Sequence, residues 1–495
     1  MQMQIQIRSG NLSEQTVDAI VLGVAPGRAL TDEAAAIDAE FGGKLKQVLD
    51  DNDFSGKVGT TLVIPTLGQI PARRLVVTGI GDANKRTAVD LTRAWGAAAR
   101  AARSAGARAV ASASPPSVGE GTAEAFRAAT EGVTLALYRF LAFRTVDLPK
   151  NEIETFTFHD DRPEAHKGVE LGNAIAAGVC LARDLGNQPA DVLYPDEFAV
   201  RAQQVALEND MACIVYDRDA LEKMGAGAIV AVGKGSERDP RLIHLTWKPS
   251  GESRGSIAFV GKGITFDTGG MNLKPTGGIE AMKFDMCGGA AVLGAMSVVP
   301  SLNLPYTVHG IITAAENMPS GTAFRPGDIL HTLNGKTIEI ISTDAEGRLV
   351  LADALTYASR LGVDAMIDLA TLTGASVVAL GKQGTSVFST DDSLAGEILD
   401  AADWNGEKMW HMPLWDEYQG QLKGDYADLR NSGGRPGGAI FAALFLREFI
   451  EGTAWAHLDI AGPAWNDHET DLAPAGASGH GVRTLLTLLL NRAAG

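Results

Sequence analysis

The first 160 residues alternate short apolar runs with longer alanine-rich stretches, a pattern typical of strands and helices in an α/β domain. The opening segment MQMQIQIRSG alternates polar and apolar residues, which predicts a first strand rather than a signal peptide. The stretch Ala88–Ala105 predicts a helix that Gly106 ends. Three further apolar runs predict strands: Ala19–Gly23, Thr61–Ile64 and Leu75–Thr78. Such alternation implies a mainly parallel sheet.

A boundary is expected near Pro163, and residues 161–189 are predicted to form a connecting helix, with Ala165–Leu185 as its periodic stretch. The strand-and-helix alternation returns in residues 190–495, with stronger strands. We therefore expect an α/β protein of two domains. The smaller N-terminal α/β domain covers 1–160, and the larger C-terminal α/β domain has a mainly parallel central sheet flanked by helices. The strands expected there are Ser256–Val260, Thr307–Thr313, Ala365–Leu369 and Trp455–Ile460, and the helices are Ala290–Val299, Ala352–Arg360 and Ala439–Phe449.

Composition narrows the class of protein. Hydrophobic residues make up 45% of the chain and charged residues 21%, as in globular proteins that bury a core. A formal net charge of −17 makes nucleic acid an unlikely partner. The three cysteines, which are widely spaced, do not suggest a disulfide framework and favour the cytoplasm. No apolar run is expected to reach the roughly 18 residues that span a bilayer, so no membrane partner is expected.

Acidic residues follow the predicted strands at glycine-rich positions. Asp267 lies in the segment after Ser256–Val260, Asp285 lies in Lys283-Phe284-Asp285-Met286, and Asp344 and Glu346 share a third segment. In an extended segment Asp344 and Glu346 point to the same side. Ligand sites of α/β sheets lie at the carboxyl ends of strands, so we expect these carboxylates to converge. Their repulsion would require cations, and two divalent ions such as Mg, Mn or Zn would neutralise them.

Basic residues sit among these acids: Lys262, Lys274, Lys283 and Arg348. A lysine ligates a metal only as the neutral amine; otherwise it acts as a positive charge near a reacting carbonyl. Three other catalytic motifs are absent or lie in the wrong structural context. Gly263 follows Lys262 where a phosphate-binding loop needs Ser or Thr, HExxH is absent, and the GxSxG match at 251–255 precedes a strand and is interpreted as a polar turn.

The run Ser342-Thr343-Asp344-Ala345-Glu346-Gly347-Arg348-Leu349 resembles the signature octapeptide of the leucyl aminopeptidase (cytosol aminopeptidase) family, whose pattern begins Asn-Thr-Asp-Ala-Glu-Gly-Arg-Leu. The segments Val260–Gly270 and Met271–Gly289 are similar to that family in order and spacing. The similarity covers residues 165–495 and is weak before them, where the family carries a variable N-terminal domain that supports the oligomer.

The resemblance implies a role for each motif residue. Lys262, Asp267, Asp285 and Glu346 would bind the tighter metal, and Asp267, Asp344 and Glu346 the exchangeable one. Lys274 would lie near the scissile carbonyl, and Arg348 would hold a bicarbonate ion as general base. The pocket for the first side chain would be lined by Met282, Thr371, Gly374 and Ala477.

The expected activity is therefore hydrolysis of the first peptide bond of peptides with a free amine, with apolar first residues such as Leu or Met preferred. Two ions, Mn or Zn with Mg or Co possible in the exchangeable site, would activate a bridging water. A homohexamer of two trimers is also implied. The sequence departs from the family at Ser342, where Asn is usual, and at Thr268, where Ser is common. The alternatives are another two-metal hydrolase, or a DNA-binding regulator, which the net charge disfavours.

Overall fold

The structure, a computed structural model, describes residues 3–119 and 121–494. The chain divides into two compact units, and each is described by itself. Unit 1 comprises Met1–Ala176 and His468–Pro474, and unit 2 comprises Ala177–Asp467 and Ala475–Gly495. The division falls inside one 25-residue helix, Pro163–Asn187, which contains the predicted helical stretch Ala165–Leu185.

Unit 1 is built on a seven-stranded sheet with the strand order β1-β7-β6-β2-β5-β4, and β3 pairs with β2. Four consecutive pairings, from β1 to β5 along this order, are parallel, and β4 is antiparallel to β5. The strands are β1 (Gln4–Arg8), β2 (Ala19–Ala25), β3 (Ala29–Leu30), β4 (Thr61–Pro65), β5 (Arg74–Gly79), β6 (Ala109–Ser112) and β7 (Thr155–His159). The helices are α1 (Asp32–Glu40), α2 (Leu45–Asp51), α3 (Ala88–Ser104), α4 (Thr122–Leu137) and, entering unit 2, α5 (Pro163–Asn187).

Helix α3 shows why the sequence signals at this point are reliable. Thr87 accepts a hydrogen bond from the Asp90 N–H, and the Asp90 carboxylate accepts one from the Thr87 N–H, which forms a capping box. At the other end Gly106 takes a φ of 82°, a left-handed conformation that favours glycine and stops the helix. Between these signals, Leu91 and Trp95 turn a fully buried face toward the core.

Unit 2 contains an eight-stranded sheet with the order β16-β15-β18-β14-β10-β11-β9-β8. Its strands β18, β14, β10 and β11 run parallel at the centre, whereas β15, β9 and β8 add antiparallel pairings. Both the α/β class and the mainly parallel central sheet are thereby confirmed. The main strands are β8 (Ala212–Tyr216), β9 (Arg241–Trp247), β10 (Ser256–Asp267), β11 (Thr307–Asn317), β14 (Ala365–Ala370), β15 (Thr385–Ser389), β16 (Met409–His411) and β18 (Ala454–Asp459).

Shorter strands and ten helices complete the described part of unit 2. The strands are β12 (Ile329–His331), β13 (Thr337–Glu339), β17 (Leu429–Arg430), β19 (Trp465–Asn466) and β20 (Gly476–Ala477). The helices are α6 (Pro195–Glu208), α7 (Arg218–Met224), α8 (Gly227–Gly233), α9 (Cys287–Met296), α10 (Val299–Leu302), α11 (Gly347–Ser359), α12 (Gly374–Leu380), α13 (Asp392–Asn405), α14 (Gly438–Arg447) and α15 (Val482–Ala494).

Strand β10 is much longer than predicted. The sequence suggested an exit loop after Val260, but the strand continues through Lys262 to Asp267. The glycines that suggested a loop have a packing role instead. A Cβ on Gly261 would come within 2.6 Å of the Gly289 Cα, so only glycine lets helix α9 approach the strand this closely.

One apolar segment corrects an expectation from the sequence. Met282–Leu302, which includes α9 and α10, is long and apolar enough to pass the criteria for a membrane-spanning helix. Yet 78% of its apolar window is buried inside the protein. All ten residues of α9 are buried. The segment therefore lies in the protein core, and it is apolar because it packs against the central sheet.

Candidate active site

The predicted carboxylates converge at the carboxyl end of the central parallel strands. Asp267 ends strand β10, Asp285 lies in a short 3-10 helix, and Asp344 and Glu346 directly precede α11. One oxygen from each of Asp267, Asp344 and Glu346 can be chosen so that all three lie within 4.8 Å of one another. These three acids come from two segments, and Asp285, from a third, joins them through the Lys262 amine, which is 2.8 Å from Asp285 Oδ1 and 2.9 Å from Glu346 Oε1. This convergence agrees with the strand-end argument.

The segment that carries Asp344 and Glu346 is a turn, which corrects the extended geometry expected from the sequence. The Ala345 N–H donates to the Ser342 carbonyl over 3.4 Å, and Glu346 already has helical dihedral angles, φ −77° and ψ −35°. Thr343 fixes the turn on the neighbouring loop, because its hydroxyl donates to the Gly269 carbonyl over 2.6 Å. A tight turn, rather than strand alternation, therefore brings the two carboxylates together.

Asn431 holds the same turn from the other side. Its buried side-chain oxygen accepts hydrogen bonds from the Ile341 and Ser342 N–H groups, at 2.8 and 3.2 Å. Its amide nitrogen donates to the Ser342 carbonyl over 2.6 Å. The Asn431 carbonyl accepts from Arg348 Nη1 over 2.8 Å. One asparagine therefore positions both the turn and the guanidinium.

Asn317 plays a similar part for Asp267. Its amide nitrogen donates to Asp267 Oδ1 over 2.8 Å and to the Thr343 carbonyl over 3.0 Å. Thr268, which stands where Ser is common in the family, donates its hydroxyl to the Asn317 carbonyl over 2.8 Å. A serine hydroxyl could make the same bond. Sequence reasoning missed Asn317 and the role of Asn431, because their partners are distant in the chain.

Lys262 lies at the buried bottom of the site. Its amine is 2.8 Å from Asp285 Oδ1, 2.9 Å from Glu346 Oε1 and 3.0 Å from the Thr371 carbonyl. Burial alone would lower the pKa of Lys262, but the Asp285 and Glu346 carboxylates outweigh it and raise that pKa. A divalent cation bound to the same carboxylates would instead lower the pKa of Lys262. A lysine needs such a lowered pKa, because it binds a metal only as the neutral amine.

Lys274 occupies the open side of the site. Its amine is 2.7 Å from Asp267 Oδ2 and 2.6 Å from Asp344 Oδ1. The side chain is 16% exposed, against 3% for Lys262. Burial lowers the pKa of Lys274, yet the Asp267 and Glu346 carboxylates more than offset this and raise it. Lys274 is therefore the lysine of this pair that substrate can reach.

The carboxylates are short of positive partners. Burial raises the pKa of Asp267, with a further increase from Glu346, and burial also raises the pKa of Asp285, with Asp267 and Glu346 adding to it. Asp285 Oδ2 and Glu346 Oε2 are buried and have no hydrogen-bond partner among the residues that the structure describes. Orphaned anionic oxygens of this kind are costly in a protein interior unless a cation binds them. The donor set of oxygens and one amine fits divalent metal ions.

Arg348 contributes a second feature. It lies on helix α11, and its buried Nε has no hydrogen-bond partner in the described part of the chain. Burial lowers the pKa of Arg348 to about 10, so it stays a cation at neutral pH. Together with Asp344 and Gly374 it lines a cleft of about 850 Å³. The arrangement can bind an anion next to the carboxylates.

Of the predicted pocket residues, Thr371 contacts Asp285 and Gly374 lines the same cleft as Arg348. The Thr371 hydroxyl donates to Asp285 Oδ1 over 2.7 Å, Gly374 begins α12, and Met282 begins the short helix that carries Asp285. Ala477 is buried in β20, and its N–H donates to Asn187 Oδ1 over 3.0 Å. The sequence grouped Lys283 with the acids, but its amine donates to the Asn187 carbonyl over 2.9 Å and faces the Trp465 ring.

Comparison with known proteins identifies the family. Residues 180–486 match the family model described as the cytosol aminopeptidase family, catalytic domain, and residues 21–147 match the N-terminal domain of the same family. The chain belongs to the cytosol aminopeptidase family. This confirms the resemblance found in the signature run, and it extends that resemblance into the first 160 residues, where sequence motifs were weak.

Relatives and solved structures agree with this assignment. A probable cytosol aminopeptidase of Nostoc punctiforme is 43% identical over 491 residues, covering 99% of this chain and 99% of the relative. A probable cytosol aminopeptidase of a Geobacter species is 42% identical over 499 residues, covering 98% of this chain and 99% of the relative.

A solved mutant of tomato leucine aminopeptidase superposes with a TM-score of 0.88 at 35% identity, covering 99% of this chain and 97% of the other. The bottromycin maturation enzyme BotP in complex with Mn superposes with a TM-score of 0.87 at 37% identity, covering 96% of this chain and 100% of the other. The family member described here is therefore a peptidase of the hydrolase class, a metal-dependent aminopeptidase that binds divalent metal and acts on peptides.

Proposed function

We propose that this protein hydrolyses the first peptide bond of peptides with a free N-terminal amine, using two divalent cations held by Lys262, Asp267, Asp285, Asp344 and Glu346. The observation that carries this proposal is a pair of buried carboxylate oxygens, Asp285 Oδ2 and Glu346 Oε2. Within residues 3–119 and 121–494 neither has a hydrogen-bond partner. Bound cations satisfy these oxygens and offset the repulsion between the carboxylates.

The exposure of the ligands supports two sites of unequal affinity. The Lys262, Asp285 and Glu346 side chains are 3%, 6% and 3% exposed, whereas Asp344 is 39% exposed. The tighter cation is assigned to Lys262, Asp267, Asp285 and Glu346, at the buried end. The exchangeable cation is assigned to Asp267, Asp344 and Glu346, at the open end, where ligand exchange with water is easier.

Mn or Zn is the proposed metal, with Mg or Co accepted in the exchangeable site. Oxygen ligands suit Mg, Mn and Zn alike, so the ligand set does not rank them. The related BotP enzyme, solved in complex with Mn, favours Mn among these.

Two cations held by these carboxylates and Lys262 would supply Lewis acidity, which would lower the pKa of a water, polarise the scissile carbonyl and bind the neutral amine of the substrate. Lys274 holds its ammonium between Asp267 and Asp344 on the open side. From there it stabilises the negative charge that develops on the carbonyl oxygen.

Arg348 is the residue that would hold a bicarbonate ion, which would supply the general base that the hydrolysis needs. Support comes from the buried Nε of Arg348, which has no hydrogen-bond partner, and from the position of Arg348 on the wall of the cleft. Asn431 holds the guanidinium through Nη1 and leaves Nε free to donate to an anion.

The first side chain of the substrate is assigned to Met282, Thr371, Gly374 and Ala477. Met282 and Ala477 give this pocket an apolar character, so Leu or Met as first residue is preferred. The family resemblance also implies a homohexamer built of two trimers and a cytoplasmic location, in keeping with relatives named cytosol aminopeptidases.

The test uses leucine p-nitroanilide and its N-acetylated form. Enzyme stripped with chelator is given Mn, Zn, Mg or Co separately at fixed bicarbonate, beside a Glu346→Gln variant. We expect turnover only with metal and only with the free amine. The variant removes one charge from a carboxylate at the centre of the site, and we expect kcat to fall by a factor of about 10³ or more.

Two results would contradict the proposal. If no metal restores turnover of leucyl, methionyl or alanyl substrates, the peptidase assignment of these carboxylates fails. If Glu346→Gln keeps most of its activity while its metal content is unchanged, the cations are held elsewhere.

A further inference from the structure

The cleft beside the carboxylates has a mixed wall. It has a volume of about 850 Å³, and its apolar lining includes Val378 and Met412. Three charged residues also line it: Asp344, Arg348 and Arg435. A cleft of this size accommodates a ligand the size of a short peptide.

The part of the substrate that this cleft accepts follows from the pocket residues. Of the four residues assigned to the first side chain, Gly374 lines the cleft, whereas Met282, Thr371 and Ala477 are not among the described residues that line it. Most of the cleft wall therefore lies outside the pocket assigned to the first side chain. The portion of the peptide after the scissile bond is the portion that can enter it.

Arg435 differs from the other charged residues of the wall. Asp344 is paired with Lys274 at 2.6 Å, and Arg348 donates to the Asn431 carbonyl. Arg435 is exposed, and within residues 3–119 and 121–494 its side chain has no hydrogen bond or ion pair. In a chain of net charge −17 this is an unpaired cation facing a substrate cleft.

The chemistry of the guanidinium selects the ligand. Its planar set of N–H donors matches a carboxylate in a bidentate arrangement. The segment around it needs glycine, because Gly434 and Gly437 take positive φ values of 102° and 65°. The leaving portion of a short peptide carries one group of this kind that every sequence shares, namely the C-terminal carboxylate.

We propose that Arg435 binds the C-terminal carboxylate of short peptide substrates, so that the enzyme prefers di- to tetrapeptides with a free carboxyl end. This inference rests on the proposed aminopeptidase function and deepens it by naming the substrate class. Longer chains place their carboxylate beyond the cleft and gain nothing from Arg435.

The experiment compares leucylglycylglycine with its C-terminal amide, using metal-loaded enzyme at low and high salt. We expect wild-type kcat/KM to favour the free acid by about fivefold at low salt, and less at high salt because the charges are screened. In Arg435→Gln this ratio falls to about one, through a higher KM for the free acid, and Arg435→Lys restores part of it.

Arg254→Gln is the matched control. Arg254 is also exposed and lies in unit 2, but it precedes β10 at the amino end of the strand, opposite the site. We expect this variant to keep the wild-type ratio of free acid to amide.

The outcomes separate the two proposals. Equal turnover of acid and amide by active wild-type enzyme overturns the role of Arg435 and leaves the aminopeptidase proposal standing. A preference for the free acid that persists in Arg435→Gln also overturns the role of Arg435, because another group must then bind the carboxylate. Failure of the wild type on both peptides and on leucine p-nitroanilide contradicts the proposed function itself.

Discussion

Backbone contacts, rather than the side chain at position 342, hold the signature turn. Asn431 binds the Ser342 N–H and carbonyl, at 3.2 and 2.6 Å. The Ser342 hydroxyl accepts a single hydrogen bond, from the Asp344 N–H over 3.3 Å. Asparagine, the usual residue of the family at this place, can accept the same bond through its side-chain oxygen. The departure from the signature is therefore compatible with an active site.

We predict that Ser342→Asn keeps kcat/KM within about threefold of wild type, because the substitution preserves a turn-forming acceptor. Ser342→Ala removes that acceptor and is expected to weaken metal retention more. Both are checked by metal titration of chelator-treated enzyme and by steady-state kinetics on leucine p-nitroanilide. A large gain of activity in Ser342→Asn would mean that Ser342 marks a site adapted away from peptide hydrolysis.

Among the elements, helix α9 and strands β10 and β14 meet at glycine contacts that set the position of the ligands. A Cβ on Gly288 would lie 2.1 Å from the Leu369 carbonyl oxygen and 3.1 Å from the backbone nitrogen of Lys262. The neighbouring Gly261 and Gly289 touch each other in the same interface. Asp285 directly precedes this helix, and Lys262 lies in the strand, so the spacing of helix and strand is also the spacing of two ligands.

We therefore predict that Gly288→Ala destabilises the protein by about 2 kcal/mol or more, since the contacted atom is backbone and cannot move aside. Activity should fall further than stability alone explains, because Lys262 and Asp285 are pushed apart. Gly396→Ala is the control. Gly396 lies in helix α13 with nothing within 4 Å of an added Cβ, and alanine there should stabilise by about 0.5–1 kcal/mol.

Urea unfolding midpoints and kcat/KM of the two glycine variants, measured side by side, check this prediction. Equal stability of Gly288→Ala and wild type would show that α9 can shift away from β10 without cost.

For the whole molecule, charge couples metal binding to stability. The chain carries a net charge of −17, and four carboxylates converge in unit 2 with two lysines as their main partners. The unfolded chain separates these acids and relieves their repulsion. Cations that bind only the folded arrangement must therefore stabilise it.

We predict that Mn at a hundredfold excess over its dissociation constant raises the free energy of unfolding by about 2.7 kcal/mol per site. The midpoint of urea unfolding should rise with Mn and return after chelation. Glu346→Gln should reduce this shift, because Glu346 is assigned as a ligand of both cations. A midpoint that ignores Mn in wild-type enzyme would show that the carboxylates do not form a cation site in the folded state.

Much of the fold and of the site followed from local patterns. The strand runs, the capping signals of α3 and the buried face of α5 are encoded within a few residues, because periodicity and caps act over one or two turns. Likewise Asp267, Asp285, Asp344 and Glu346 stood out because each follows or precedes a predicted element among glycines. Their convergence followed from the rule for strand ends in parallel sheets.

Contacts between distant segments were decided only by the tertiary structure. The glycines after Val260 resembled a turn, yet packing of α9 against them extends β10 to Asp267. Asn431 is 89 residues from Ser342, so its hydrogen bonds to the turn leave no local pattern. Lys283 is only two residues from Asp285 in the sequence, but the fold directs its amine to the Asn187 carbonyl. Sequence by itself determined which groups are available for chemistry; packing and hydrogen bonding across the chain determined which of them meet.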